Sequence, residues 1–258
     1  SKANRSYFYP SVSLSGVISD MVPKLGGQMP EWFTFAKVRA SYAEVGNDLD
    51  PYQLYNNFTV GKDENGNTTA APGNVLYDSS VRSELIKSWE AGFDIRFFNN
   101  RLGLDAAWYK TNATRQLLNL PMDPFSGYSS RKVNAGNIQN EGVEISLNGL
   151  ILDNPKGLSW NSTAQFSLNR NKIIDLYPGV TLYDIKTLDA IQIVAVQGSY
   201  YGDIYGQTFQ RVEDKNDPNY GKIIVGEDGL PLITTGKSKV GNQSPDWMLG
   251  WTNSFSYK

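Results

Sequence analysis

The chain has 258 residues, a net charge of -2, 24 Gly, 15 Tyr, 11 Phe and 6 Trp, and it contains neither Cys nor His. Without Cys and His there is no Ser-His-Asp triad, thiol nucleophile or ordinary zinc site, so no enzyme and no cofactor is indicated. The near-neutral charge argues against the basic surface that a nucleic-acid partner requires. No apolar run approaches the length of a membrane helix.

Alternation of apolar and polar residues predicts the first two strands, over residues 7–18 and 32–44. A Pro/Gly-rich connection separates them. In the second strand Lys37, Arg39 and Ser41 fall on one face. Because two cations and a hydroxyl need water, we expect this face to look into a wet lumen.

The most regular pattern is a β-hairpin predicted over residues 87–98 and 101–110. Asn99 and Asn100 interrupt the alternation, and Asn tolerates the left-handed backbone of a tight turn. One face of each arm is apolar, whereas the other carries charged or very small residues. Arms of about ten residues with aromatic side chains near both ends suit strands that cross an outer membrane.

The same alternation predicts three further strands, over residues 142–150, 158–169 and 247–257. The connections between predicted strands are alternately short and long, which is typical of outer-membrane barrels with tight periplasmic turns and large external loops. The long excursions are residues 45–86, 111–141 and 170–246, the last with extended pieces near 190–196 and 203–212.

The predicted fold is all-β, an antiparallel transmembrane β-barrel segment of about seven strands with long extracellular loops. Seven strands do not close such a barrel, and an open sheet in lipid would leave two unpaired edges. We therefore expect residues 1–258 to be part of a larger barrel, with the lipid bilayer and the remainder of that barrel as their surroundings.

The two faces of this sheet should meet different environments. The side chains expected to touch lipid are those of Trp89, Phe93, Ile95, Leu104, Phe166, Leu168 and Leu249. The side chains expected to line the lumen are those of Arg39, Glu90, Asp94, Arg96, Glu144 and Gln165.

Five blocks of sequence resemble, in order, the barrel of SusC/RagA-type TonB-linked outer-membrane proteins. Each block consists mostly of strand and turn residues, but together they span nearly the whole chain. The blocks are VRASYAEVGN (38–47), SWEAGFDIRFFNNRLGLDAAWYKTNATRQLL (88–118), VNAGNIQNEGVEISLNG (133–149), SLNRNKIIDLY (167–177) and GNQSPDWMLGWTNSFSYK (241–258).

This resemblance implies that the chain is part of the C-terminal half of a TonB-dependent receptor barrel of 22 strands, without the N-terminal plug that fills it. It implies import of oligosaccharides or peptides across the outer membrane of a Gram-negative, Bacteroidetes-like bacterium. The implied partners are a SusD-like surface lipoprotein that acts as a lid, and TonB, which is contacted through the missing plug. The lumen-facing residues would then line the lumen or meet that plug.

The longest loop contains a segment, residues 198–206, in which three Tyr lie among Gly residues. Aromatic rings stack on sugar faces and their hydroxyls form hydrogen bonds, so this segment is a candidate site. The alternative is that the rings hold loops together or face the lid protein. The candidate ligand- or partner-binding residues are Tyr200, Tyr201, Tyr205, Phe125 and Tyr128.

Acidic motifs elsewhere predict neither a metal site nor a catalytic one. Residues 63–67 resemble a calcium loop, but its sixth position would be Thr68 instead of Gly, which favours a solvated turn. Glu90 and Asp94 lie roughly 13 Å apart on one strand face, too far for a shared glycosidic bond. The alternative to a barrel is a soluble extracellular carbohydrate-binding or adhesive β domain, which would remain monomeric without detergent.

Overall fold

The computed structural model describes residues 7–51 and 54–258. Residues 1–6 and 52–53, which belong to the predicted barrel segment 1–258 and to the predicted loop 45–86, lie outside the described residues. The chain divides into two units, the second consisting of Lys172–Pro245 and the first of the remainder.

The described residues are mostly in strands, with one short helix, α1 (Ile18–Lys24), and a 3-10 turn at Pro124–Ser126. The strands are β1 (Ser11–Val17), β2 (Phe33–Asn47), β3 (Phe58–Lys62), β4 (Thr68–Pro72), β5 (Val75–Leu76), β6 (Glu84–Phe97), β7 (Leu102–Pro121), β8 (Ser130–Leu152), β9 (Leu158–Asp175), β10 (Leu182–Leu188), β11 (Ile191–Val196), β12 (Asp203–Gly206), β13 (Ser238–Asn242) and β14 (Met248–Tyr257).

All seven predicted strands are neighbours in one sheet of the first unit, in the order β1-β2-β6-β7-β8-β9-β14. The pairs β1–β2, β2–β6, β6–β7, β7–β8 and β9–β14 are antiparallel. The all-β antiparallel prediction is therefore confirmed. Within the 45–86 excursion, β3 and β4 form a separate hairpin, and β5 adds a short parallel pair to β8.

The prediction of a long loop at residues 111–141 is wrong, because β7 and β8 are 20 and 23 residues long and leave only residues 122–129 between them. Arg115 and Gly136, which have φ values of 59° and 76°, interrupt the ladder between the pairs Thr114–Asn137 and Gln116–Ala135. The apolar alternation of the rest of the sheet is absent from this part of the sequence, although the ladder of hydrogen bonds continues.

The short connections match the predictions from sequence more closely than the 111–141 segment does. The β6–β7 turn contains three consecutive residues with left-handed backbone, Phe98, Asn99 and Asn100, with φ of 53°, 54° and 66°. The predicted Asn-centred hairpin is thereby confirmed. The β1–β2 connection contains α1, so that Ile18 is helical although it was predicted to end the first strand.

The second unit has its own sheet, in the antiparallel order β10-β11-β12-β13. β11 and β12 match the extended pieces predicted near 190–196 and 203–212, although the second strand ends at Gly206. Ile173, Leu176, Val194 and Ala195 are its buried apolar residues. No helix in residues 7–51 and 54–258 is long and apolar enough to span a membrane.

Candidate lumen wall and loop site

The strand register places most of the predicted polar residues on one face of the large sheet. Arg39 lies opposite Gly92, which lies opposite Ala107, which in turn lies opposite Glu144. Directly opposed residues in antiparallel strands share a face, so the Arg39 and Glu144 side chains do so. Glu90, Asp94 and Arg96 are an even number of residues from Gly92 on β6 and therefore join them.

Arg39 is the centre of the charged cluster on this face. Its Nη1 and Nη2 atoms donate hydrogen bonds to the two Asp105 carboxylate oxygens, at 2.9 and 3.1 Å. The Glu90 carboxylate lies 3.7 Å from Arg39 Nε. Room for this arrangement comes from Gly92, since a Cβ there would lie 2.9 Å from Arg39 Cζ.

Asp105 is the residue of this cluster that the sequence analysis did not select. Its position in the alternating pattern of the second hairpin arm already put it on the polar face. The pairing with Arg39 connects residues 66 positions apart across an intervening strand, and alternation within one strand carries no information about such a contact.

Two open grooves lie along the polar face. The larger, of about 790 Å³, includes Arg39, Glu90, Asp105, Tyr109, Glu144 and Gln165 in its lining, so Gln165 joins the other predicted residues. The smaller, of about 400 Å³, includes Asp94 and Arg96, which form an ion pair with a 2.8 Å separation. All six residues predicted to line the lumen therefore border one of these two grooves.

The opposite face of the sheet is apolar and exposed. The row formed by Val38, Phe93, Ala106 and Ile145 crosses four strands. On this face Trp89, Phe93 and Leu249 are 55%, 36% and 62% exposed, whereas Ile95, Leu104, Phe166 and Leu168 are partly exposed. A sheet with this much exposed apolar surface requires an apolar environment on that side.

The predicted loop residues lie in different parts of the structure. Phe125 is fully exposed at the 3-10 turn, where its backbone N–H donates to the Asp123 carboxylate, and Tyr128 follows in the same connection. In the second unit the Tyr200 ring is 41% exposed, with Lys239 Nζ 5.5 Å from its centroid. Tyr201 and Tyr205 are half-buried. Phe125 and Tyr200 therefore present the most accessible rings among the five candidates.

A buried acidic residue that the sequence analysis did not single out, Asp203, organises the Tyr-rich segment. Its side chain is completely buried and accepts hydrogen bonds from Lys239 (2.7 Å), from Asn242 (2.8 Å) and from the Ser199 hydroxyl. Burial alone would raise the pKa of Asp203, but these donors hold that pKa below its ordinary value. Asp203 therefore remains an anion that connects β12 with β13 and with the Tyr200 segment.

Asp63 acts as a turn residue. Its carboxylate accepts hydrogen bonds from the backbone N–H groups of Asn65 and Asn67 and from the Asn67 amide, which lowers the pKa of Asp63. Among the described residues, no group of three or more acidic side chains could hold a metal ion.

Comparison with known proteins identifies the protein family to which this sheet belongs. A family model described as "TonB dependent receptor-like, beta-barrel" matches residues 2–256. The chain belongs to the TonB-dependent receptor β-barrel family. The predicted resemblance is confirmed, and a chain of this family is part of an outer-membrane receptor barrel and not of an enzyme. The alternative of a soluble adhesive domain is thereby set aside.

Relatives of this TonB-dependent receptor chain are much longer than the chain itself. It is 28% identical to TonB-dependent receptor P3 of Formosa agariphila, over the whole of this chain and 27% of that protein. It is 24% identical to TonB-dependent receptor SusC of Bacteroides thetaiotaomicron, over 70% of this chain and 19% of SusC. The chain thus spans about a quarter or less of these curated relatives.

The solved structure of the RagAB peptide transporter contains the same arrangement of strands. It superposes with a TM-score of 0.80 at 22% identity, covering 99% of this chain and 28% of that one. The RagAB importer in its closed-closed state gives a TM-score of 0.79. This likeness confirms that the TonB-dependent receptor chain is a segment of a larger barrel wall.

Proposed function

We propose that this chain forms part of the wall and outer loops, in the C-terminal half of the barrel, of a TonB-dependent outer-membrane importer. The polar face lines the lumen and meets the N-terminal plug, while the apolar face touches lipid. The observation that carries this proposal is the separation of faces: the Arg39–Asp105 cluster lies on one side of the sheet, and Trp89, Phe93 and Leu249 lie on the other.

The orientation of the wall follows from its connections. The turns at 98–101 and 153–157 and the connection 18–32 lie at one end of the sheet, whereas the other ends of the same strands lead to 48–83, to the extended β7–β8 hairpin and to the second unit. Barrels of the outer membrane have short periplasmic turns and long external connections, so these longer connections face the outside. Substrate and lid would meet the chain there.

Oligosaccharides or peptides are the proposed substrates, with a SusD-like lipoprotein as the lid and TonB acting through the plug. The RagAB complex is described as a peptide importer, which supports peptides as one of these classes. The host would be a Gram-negative, Bacteroidetes-like bacterium. Tyr200, Tyr201, Tyr205, Phe125 and Tyr128 are proposed to contact substrate or lid, with the exposed rings of Tyr200 and Phe125 the best placed.

Point variants test the loop assignment better than a deletion of residues 198–206, because that segment includes the buried Asp203. In the whole receptor we expect Tyr200→Ala and Phe125→Ala to reduce uptake of the cognate nutrient or recovery of the lid protein in a pull-down. The control is Tyr220→Ala, which removes another exposed ring of the second unit.

Barrel insertion, followed by heat-modifiable migration in gels, should be unchanged in all three variants. Separate growth assays on glycans and on peptides would identify the substrate class. Normal uptake and normal lid recovery in both Tyr200→Ala and Phe125→Ala would show that these rings do not form the site.

A further inference from the structure

The second unit contains an open groove of about 1620 Å³. Its lining includes the end of the small sheet, at Ile191, Gly206 and Ser238, and the segment 207–214. Of the described residues that line it, none is among the five ring residues selected from the sequence. Ordinary small-molecule pockets are about 300–1,000 Å³, so a groove of this size fits an extended ligand.

A closed set of backbone hydrogen bonds fixes the segments that border the groove. The Gln210 N–H donates to the Leu232 carbonyl at 2.8 Å, the Leu232 N–H donates to the Ile224 carbonyl at 2.9 Å, and the Ile224 N–H donates to the Gln210 carbonyl at 2.9 Å. Each of these three segments is therefore bonded to the other two. Because the groove is held in this way before a ligand arrives, binding does not require it to be ordered first.

The groove has a largely aliphatic apolar lining. Ile191, Phe209, Ile233 and Val240 border it, and each is about half exposed. These residues belong to the second unit, which the proposed function places outside the bilayer, so lipid does not account for their exposure. Phe209 is the only aromatic residue among the described residues of this lining. Sugar faces are bound by stacked aromatic rings, whereas aliphatic side chains suit the side chains of a peptide.

One end of the groove is basic. Lys237 borders it, next in sequence to the residue that is paired with Gly206. The Thr234 N–H donates to the Thr208 carbonyl at 2.8 Å, so this end is the one at which segment 207–214 begins. The Lys237 side chain is exposed there, and its ammonium group can donate to a carboxylate.

The other end of the groove is acidic. Glu213 and Asp214 are exposed there, and Arg211, the third charged residue of this end, donates from Nη1 to the Gly221 carbonyl at 2.7 Å. Two carboxylates and one guanidinium group give this part of the lining a net charge of -1. Extended backbone from Thr208 to Glu213 spans roughly 17 Å, which separates the acidic end from the basic one.

We propose that the groove binds the imported substrate as an extended, zwitterionic peptide of about five residues with aliphatic side chains. The peptide carboxylate lies at Lys237 and the peptide ammonium group at Glu213 and Asp214, because opposite charges attract and hydrogen bonds between charged groups are strong. A neutral oligosaccharide has neither terminal charge. The groove thereby narrows the two substrate classes of the proposed function, on which this assignment rests, to peptides.

The test measures ligand affinity of the whole receptor in detergent by isothermal titration calorimetry. The probes are the pentapeptide Ala-Val-Ser-Ile-Ala, the same peptide with an amidated carboxyl end, and maltopentaose. We expect Lys237→Gln to weaken binding of the free peptide about threefold, since an exposed ion pair contributes modestly, and to leave binding of the amidated peptide unchanged. Ile233→Ala should weaken binding of both peptides about tenfold, because it removes apolar contact area.

The matched controls are Lys215→Gln and Leu230→Ala, which remove an exposed cation and an exposed aliphatic side chain from the second unit outside this lining and should leave peptide affinity unchanged. Equal weakening of the free and amidated peptides by Lys237→Gln, unchanged affinity in Ile233→Ala, or displacement of the peptide by maltopentaose would overturn the proposal.

Two further measurements separate this groove from the other roles of the chain. Loss of the lid protein from a pull-down of Ile233→Ala, with unchanged peptide affinity, would assign the groove to the lid and also overturn the proposal. Barrel insertion and nutrient uptake are measured separately. A receptor that inserts and imports its nutrient but binds no peptide would contradict the groove alone, whereas a receptor that neither inserts nor imports would contradict the proposed function.

Discussion

Arg39 on β2 and Asp105 on β7 are joined by two hydrogen bonds that pass over the strand between them, with N–O distances of 2.9 and 3.1 Å. The intervening strand presents Gly92 at the crossing point, directly opposite Arg39. The absence of a side chain there allows the guanidinium group to reach the far carboxylate. One glycine thus makes possible a connection between three strands of the wall.

Gly92→Ala should therefore destabilise the wall. The new Cβ would lie 2.8 Å from the Ala106 carbonyl oxygen and 2.9 Å from Arg39 Cζ, so Arg39 would have to move away from Asp105. We expect the free energy of unfolding to fall by about 1–2 kcal/mol, measured by urea unfolding of the whole receptor in detergent. Gly250→Ala is the control, because no atom lies within 4 Å of a Cβ at that position. Equal stability of the two variants would contradict the role of Gly92.

Spin labels at Phe166 and Gln165 can measure which face of the large sheet meets lipid and which meets water. These neighbours on β9 point to opposite sides of the sheet, and their partners on β14 are Leu249 and Gly250. We expect a label at Phe166 to be accessible to oxygen dissolved in lipid and a label at Gln165 to a water-soluble relaxation agent. Similar accessibility at the two positions would refute the proposed lipid and lumen faces.

Lys239→Ala should loosen the Tyr-rich segment of the second unit. The substitution removes the ammonium group that pairs with the buried Asp203 carboxylate. The Ser199 hydroxyl and the Asn242 amide then remain as its hydrogen-bond donors. Because Lys239 is itself 40% exposed, we expect a local loss of about 2 kcal/mol, less than for a fully buried pair. Hydrogen exchange of β12 and β13 amides would report this loss. The exposed neighbour Lys237 provides the control, and equal exchange in Lys237→Ala and Lys239→Ala would argue against a role for the ion pair.

Asp78 should make the loop before β6 sensitive to acid. A hydrogen bond from the Ser80 backbone N–H, followed by the Arg131 guanidinium group, lowers the pKa of Asp78 to about 2 from an ordinary value of 3.8. Since this pKa is lower in the folded chain than in the unfolded chain, the stabilisation is present above about pH 4 and is lost as pH falls toward 2. Hydrogen exchange at the Val81 amide, which donates to the Asp78 carbonyl, measures the transition.

The variant Asp78→Asn should remove that pH dependence of Val81 protection. Asp63→Asn, which alters a carboxylate in a different turn, should preserve it. A transition that is identical in Asp78→Asn and in the unaltered chain would show that another group is responsible.

The sequence by itself determined where the wall strands lie and which side chains share a face. This was possible because a strand between lipid and water must alternate, as residues 32–44 and 87–110 do. The tight turn at Asn99 and Asn100 was also predictable, since few residues adopt its backbone conformation. The alternation of short and long connections also predicted that the wall strands are neighbours in one antiparallel sheet.

Only the tertiary structure decided how far β7 and β8 extend and which side chains meet across strands. β7 and β8 continue through residues 111–121 and 130–141 without apolar alternation, so no local pattern indicates where these strands end. The contacts Arg39–Asp105 and Asp203–Lys239 join residues that are distant in sequence. They depend on strand register and on the burial of a loop, which arise only when the chain is folded, because a local pattern reports the environment of a side chain but not its partner.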